Sequence, residues 1–270
     1  MAQRKHLPPI DRLGTLTASL MLAFVLARYI QIPAFAVTVA LPGAQLEWHF
    51  DMTTLLALFV VGLTASGVDW LLREHPLMAG QGTAQHWLLP ALTAWAVGSL
   101  LLRQPSGAVW WGAFVGGSAL LMLVVVAEYI TIDPQDLRWP MASIGLAMVG
   151  YTLFLLLAVL VRSRGGRMFI TVPLVTLAAA LVGLRLLRLR YPWRVAWRAG
   201  AVVALVSGQV AMALFYLPLS PLRYALMLVG LLYALVSLAE NALNQLEGAR
   251  LAFEPVLVFV LTWAVALLAL

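Results

Sequence analysis

The sequence predicts an all-α fold, a polytopic transmembrane helical bundle of about nine spans within a range of seven to nine. Uncharged apolar runs succeed one another along the chain, each about 17–25 residues long, which crosses a hydrocarbon core about 30 Å thick at 1.5 Å per residue. Of the 270 residues, 63% are hydrophobic and 10% charged, and the mean hydropathy is +0.95, more apolar material than a water-soluble core holds. Short links bearing Arg, Asp, Glu, Pro or Gly separate the runs. Residues 1–270 therefore read as one integral membrane domain, with no soluble domain and no sheet expected.

Helices are predicted at 12–30, 51–72, 86–103, 109–130, 139–163, 168–188, 194–217, 221–246 and 251–270. Arg4 and Lys5 precede the first, and Ala34-Phe35-Ala36 looks like a cleavage site, but the segment is expected to be retained as a signal-anchor helix. The link from Gln31 to Phe50, with Pro33 and Pro42, is expected to lie along the interface or dip into it against protein. Later links such as Arg103-Gln104-Pro105-Ser106-Gly107 and Leu217-Pro218-Leu219-Ser220-Pro221 are short. Pro and Gly stop one helix and start the next there, so consecutive helices should pack antiparallel.

Charge sets orientation. The net charge of +6 comes from sixteen Arg and the single Lys5, gathered at span ends, which speaks for topology and lipid headgroups and against nucleic acid. If 168–188 spans, a cytoplasmic N-terminus puts eleven of the basic residues inside and six outside, as the positive-inside rule requires. A bacterial inner membrane with that orientation is expected. Arg185 to Arg198, interleaved with Tyr191, Trp193 and Trp197, has the mixture of a headgroup-level anchor. Only Trp95 and Trp263 fall well inside spans.

Within the spans, polar chemistry is sparse. Gly112, Gly116 and Gly117 on the fourth helix, and Gly145 and Gly150 on the fifth, are expected to let helices approach closely. Asp69 and Glu128 fall about one turn from predicted ends, where a carboxylate can reach water. Glu240 with Asn241, Asn244 and Gln245 lies near the end of the eighth helix, and Ser207-Gly208-Gln209 is the deepest polar site. Gln209, Glu240 and Asn244 are therefore the intramembrane polar candidates.

Four histidines are present: His6, His49, His75 and His86. His86 and His49 are candidate pigment ligands, His86 because it opens a helix at a depth where imidazole could reach a bacteriochlorophyll magnesium. Glu47, His49 and Asp51 form an interfacial cluster without metal-ligand spacing or an adjacent nucleophile. No metal site or catalytic residue is assigned, and an enzyme is not expected. With no cysteine there is no thiolate chemistry, and retinal is excluded because its Schiff base needs an intramembrane lysine.

Several strings carry a resemblance: Leu63 to Pro76 (Leu-Thr-Ala-Ser-Gly-Val-Asp-Trp-Leu-Leu-Arg-Glu-His-Pro), His86-Trp87-Leu88-Leu89-Pro90-Ala91-Leu92, Ala127-Glu128-Tyr129 and Tyr216-Leu217-Pro218-Leu219-Ser220-Pro221. Together they resemble an uncharacterised multi-pass family of the green filamentous bacteria, the Chloroflexi. The resemblance covers most of the chain and lends no catalytic or ligand residue. It implies a lineage that includes anoxygenic phototrophs.

The expected function is a non-catalytic accessory subunit of a larger membrane complex, a photosynthetic reaction-centre and light-harvesting assembly on that resemblance. Its expected partners are other integral membrane subunits, lipids and pigments, with quinone passage through an antenna ring it holds open. Bacteriochlorophyll or carotenoid would be touched by apolar contact, none bound covalently. The alternatives are a small-solute or lipid transporter using Ser207/Gln209 and Glu240/Asn244, and a membrane-embedded lipid enzyme using Glu47, His49 and Asp51.

Overall fold

The computed structural model describes residues 9–29, 35–41, 44–50, 52–73, 75–78, 82–105 and 107–268. Nine α-helices appear among them: α1 (Ile10–Tyr29), α2 (Met52–Leu72), α3 (Ala84–Arg103), α4 (Ala108–Ile130), α5 (Trp139–Ser163), α6 (Met168–Arg188), α7 (Trp193–Phe215), α8 (Pro221–Leu243) and α9 (Ala249–Leu268). All nine expected helices form. Their ends agree with the apolar periodicity because the same Pro, Gly and Arg residues that interrupt each run also deprive the helix of donors or of a solvent-free environment.

Two expectations are corrected. The link after α1 is a β-hairpin, β1 (Phe35–Leu41) and β2 (Ala44–Phe50), paired antiparallel from Phe35 opposite Phe50 to Leu41 opposite Ala44. An all-α fold with no sheet is thus wrong over this stretch. The signal was present: Phe-Ala-Val-Thr-Val-Ala-Leu is rich in β-branched residues, and Pro42-Gly43 punctuates it two residues before the partner strand.

The second correction concerns the span count. Among the described residues six helices, α4 to α9, are long and apolar enough to cross a membrane, against about nine expected. Polar residues dilute two of the others: α1 opens with Asp11 and Arg12, and α3 carries Gln85, His86 and Thr93; of α2, the stretch Leu58–Leu72 is apolar. The six apolar helices make this a membrane-embedded protein. The doubtful 168–188 segment is among the six.

The chain divides into two compact units, Met1–Ala142 and Ser143–Leu270, where one membrane domain is expected. In the first, α1 contributes Leu13, Leu16, Leu20 and Phe24 at steps of three and four residues, and α4 contributes Trp110, Phe114, Leu121 and Val125; both stripes are buried against Val68 and Leu71 of α2 and Val97 and Leu101 of α3. Helical spacing puts each set on one face.

In the second unit glycines bring the helices together. A Cβ built on Gly200 of α7 would lie 3.4 Å from the Leu184 Cα of α6, and one on Gly208 of α7 would lie 2.5 Å from the Thr176 hydroxyl of α6. Gly230 of α8 meets Thr262 of α9, and the Trp263 indole of α9 donates to the Met227 carbonyl at 3.0 Å. Trp263, deep in its span, is thus a packing residue. On the other side of the unit, Gly150 of α5 approaches Val182 and Leu186 of α6. Close backbone approach of this kind drives helix association where lipid supplies no hydrophobic force.

The expected glycine face of α4 is only partly right. Gly117 packs, since its Cβ would fall 2.5 Å from the Val97 Cγ1 of α3; Gly112 and Gly116 are exposed, with no described residue within 4 Å, and Gly145 likewise meets nothing. Gly112 and Gly117 lie five residues apart, about 140° around the helix, so they cannot share a face. Gly117→Leu is expected to cost about 1–3 kcal/mol by overpacking, and Gly112→Leu to stay within about 0.5 kcal/mol. Thermal unfolding of both variants in mild detergent distinguishes them.

Candidate functional site

The second unit holds a cavity of about 420 Å³ bounded by α5, α6, α8 and α9. The helix ends meeting there are the start of α5, the end of α6 with the residues after it, the end of α8 and the start of α9, so the cavity enters the bundle from one end. Its polar groups are Arg190, Glu240, Glu254, Tyr151, Tyr233, Ser143, Ser237 and Asn241; Ile144, Met148, Leu186, Leu189 and Val236 supply apolar wall. Tyr151 lies twelve residues into α5, about 18 Å along it.

A Schellman motif frames the mouth. Gln245 adopts a left-handed φ of 59°, its amide donates to the Ala242 carbonyl and the Leu246 amide to the Asn241 carbonyl at 3.1 Å, so the last carbonyls of α8 are satisfied and the chain turns sharply into α9. The Asn241 side-chain amide then donates to the Leu251 carbonyl at 2.9 Å. That bond ties the end of α8 to the first turn of α9.

Glu240 sits at the mouth, its carboxylate accepting from Arg190 Nη1 at 2.6 Å. The Tyr191 hydroxyl lies 3.1 Å from the Glu240 carbonyl oxygen and 2.9 Å from Asn244 Oδ1. Burial, followed by the nearby Glu240 carboxylate, raises the Tyr191 phenol above its ordinary value, so the hydroxyl stays a donor at neutral pH. Glu240 and Asn244 are thus brought together, as expected, by a residue the sequence reading treated only as an anchor.

Across the cavity, the Tyr233 hydroxyl donates to the exposed Glu254 at Oε1, 2.7 Å, and the Tyr151 and Tyr233 rings meet with centroids 5.5 Å apart. Among the described residues the Tyr151 and Ser237 hydroxyls have no hydrogen-bond partner, and Glu254 has no cationic one. None of Tyr151, Tyr233, Ser237 or Glu254 stood out in the sequence. A tyrosine midway along an apolar run and a carboxylate near a helix start look like ordinary packing and capping until three helices converge on them.

Gln209 does not join this site. It is exposed on α7, while its neighbour Ser207 is buried with an unpartnered hydroxyl. The expected pairing of a Ser207/Gln209 region with Glu240/Asn244 therefore reduces to the Glu240 half. In the basic segment beside it, Trp193 and Trp197 are exposed and stacked at 6.0 Å, but Arg185, expected in the anchor, is buried at 3% exposure.

The first unit has a second polar cluster at the end where α2 stops, α3 starts and α4 stops. Glu128, expected to reach water, is fully buried, and its carboxylate meets His86 Nδ1 at 2.9 Å. The Gln85 side-chain amide lies 3.1 Å from His86 Nε2, so both ring nitrogens are engaged. Ligation of a magnesium by His86 would require Gln85 to release Nε2. Nearby, Asp69 accepts from Thr83 and, at 2.7 Å, from Arg73, and the buried His75 ring stands edge-on to Tyr129 at 4.9 Å.

His49 lies in β2 opposite Ala36, and Glu47 opposite Thr38. Their side chains, and Asp51 and His6 altogether, lie outside the described residues.

Comparison with protein families places residues 32–269 within the model of DUF5656, a protein family of unknown function. The chain belongs to that family. The match runs from the hairpin through α9 and so includes both polar clusters. No curated protein and no solved structure matches the chain.

Proposed function

We propose that this protein is a membrane-embedded binding protein for a small amphiphilic solute or lipid, which it holds in the α5–α6–α8–α9 cavity and passes or presents without covalent turnover. The observation that carries this reading is the convergence of two carboxylates, an arginine and two unpartnered hydroxyls on a cavity that also has an apolar wall. Pockets that recognise small molecules combine an apolar lining with a few convergent polar groups. Carboxylates inside membrane helices are costly, which makes them functional candidates by default. No activated nucleophile accompanies these residues, so binding is favoured over catalysis.

The proposed setting is a bacterial inner membrane with a cytoplasmic N-terminus. The arginine distribution supports it, favouring that orientation when all nine helices cross, in which case the cavity mouth faces the cytoplasm.

The test is Ala147→Trp, which fills the cavity from the α5 wall. Small molecules co-extracted with the protein in mild detergent and identified by mass spectrometry should be lost in the variant, and any flux in proteoliposomes abolished. An unchanged set of bound molecules would refute the reading.

A second reading is the accessory subunit, favoured by the small-residue surface at Gly112 and Gly116, which is exposed and meets no described residue. Such surfaces suit a partner helix. The photosynthetic assembly, its pigments and its quinone enter through the Chloroflexi resemblance. Native electrophoresis and absorption spectroscopy of gently extracted membranes test it: co-migrating subunits and bacteriochlorophyll support it, and a colourless species migrating alone contradicts it.

A further inference from the structure

We infer that the ligand of the α5–α6–α8–α9 cavity is an organic monocation, an ammonium group carried on an apolar body, recognised by Glu254 and the Tyr151–Tyr233 ring pair. The inference rests on the cavity reading above and goes beyond it by assigning the charge of the ligand and the residues that read it.

Charge balance is the first argument. The lining has two carboxylates, Glu240 and Glu254, and one guanidinium, Arg190. Glu240 is neutralised by Arg190 at 2.6 Å. Glu254 is left with only the neutral Tyr233 hydroxyl, at 2.7 Å, so the cavity carries one uncompensated negative charge. Glu254 is exposed, five residues into α9 and one turn beyond Arg250, about 7.5 Å along the helix. A carboxylate without an ion-pair partner attracts a counter-charge, and a guest cation supplies one.

The second argument is the shape of the lining beside that charge. The Tyr151 and Tyr233 ring centroids are 5.5 Å apart with their planes 52° apart, an angled aromatic pair beside a carboxylate. Ring faces attract cations, and quaternary ammonium groups are recognised by such aromatic surroundings. The unpartnered Tyr151 and Ser237 hydroxyls can accept from an ammonium N–H, and Ile144, Met148 and Val236 give the apolar body a surface to lie on. An anion would meet Glu254 unfavourably and find its one cationic partner already occupied.

The experiment measures equilibrium binding to the full chain in lipid nanodiscs with three water-soluble probes of similar shape: benzyltrimethylammonium, benzyl alcohol and phenylacetate. Saturable binding of the cation is expected at least tenfold tighter than that of either other probe. Glu254→Gln should weaken it tenfold or more while Glu254→Asp retains most of it, and Tyr151→Leu should weaken it about fivefold. Tyr233→Phe keeps the ring and frees the carboxylate, so binding stays the same or tightens. Selectivity for the cation that survives Glu254→Gln, or the lack of any preference for the cation, overturns the inference. If benzyl alcohol or phenylacetate binds best and Ala147→Trp abolishes that binding, the cavity reading stands and the cation assignment falls. If no probe binds at a site sensitive to Ala147→Trp, both fall.

Discussion

His86→Leu is expected to destabilise the first unit by about 3–5 kcal/mol, because it removes the imidazole partner of a fully buried carboxylate, Glu128. Leu approximates the volume of imidazole, so the loss is electrostatic rather than a cavity effect. Glu128→Leu should cost less, about 1–3 kcal/mol, since it takes one hydrogen-bond partner from the imidazole rather than from a buried carboxylate. The double variant His86→Leu/Glu128→Leu removes both polar partners and should be more stable than His86→Leu alone. Sodium dodecyl sulfate titration in mild detergent, followed by tryptophan fluorescence, measures all three. A double variant no more stable than His86→Leu would mean that the 2.9 Å contact does not couple the two residues.

The second large effect is expected at Gly230. A Cβ there would fall 2.8 Å from the Thr262 Cβ of α9 and closer still to its hydroxyl. That hydroxyl already donates back to the Val258 and Phe259 carbonyls, so it cannot swing away without losing them. Gly230→Leu is expected to cost about 3 kcal/mol, at the upper end of overpacking, by forcing α8 and α9 apart. Because Tyr233 and Glu254 lie on the same two helices, the substitution should also weaken ligand binding in the cavity. Thr262→Gly removes the obstructing side chain, so the double variant Gly230→Ala/Thr262→Gly should lose less than the sum of its singles. Strict additivity would place the contact elsewhere.

Some of this was legible in the chain and some was not, and the division follows the range of the interactions. Helix ends were readable because Pro221, Gly107, Pro192 and the arginines act on their own backbone or on the membrane within one turn. The hairpin was readable in principle at Phe35–Leu41, but a short apolar run is ambiguous between strand and interfacial coil until a partner strand is identified. Six spans rather than nine meet the length and apolarity of a membrane crossing among the described residues, since a run can be apolar enough to pack as a helix without reaching that length and apolarity. Of the candidate site, Glu240 and Asn244 were visible as a polar group near a helix end. Tyr151, Tyr233, Ser237 and Glu254 were not, since they stand up to 103 residues apart in sequence (151 to 254).

The sequence by itself determined that this is a helical membrane protein, where each helix begins and ends, and which end of each carries its charges. Those properties depend on single residues meeting water, lipid or their own backbone. The tertiary structure alone decided which glycines pack, that Glu128 turns inward to His86 while Gln209 faces out, and that a carboxylate on α9 reaches a tyrosine of α8. Each of these depends on the rotation of one helix against another, a few tens of degrees that hydropathy does not encode. A glycine or a carboxylate is exposed or buried according to what its neighbour presents at the same height.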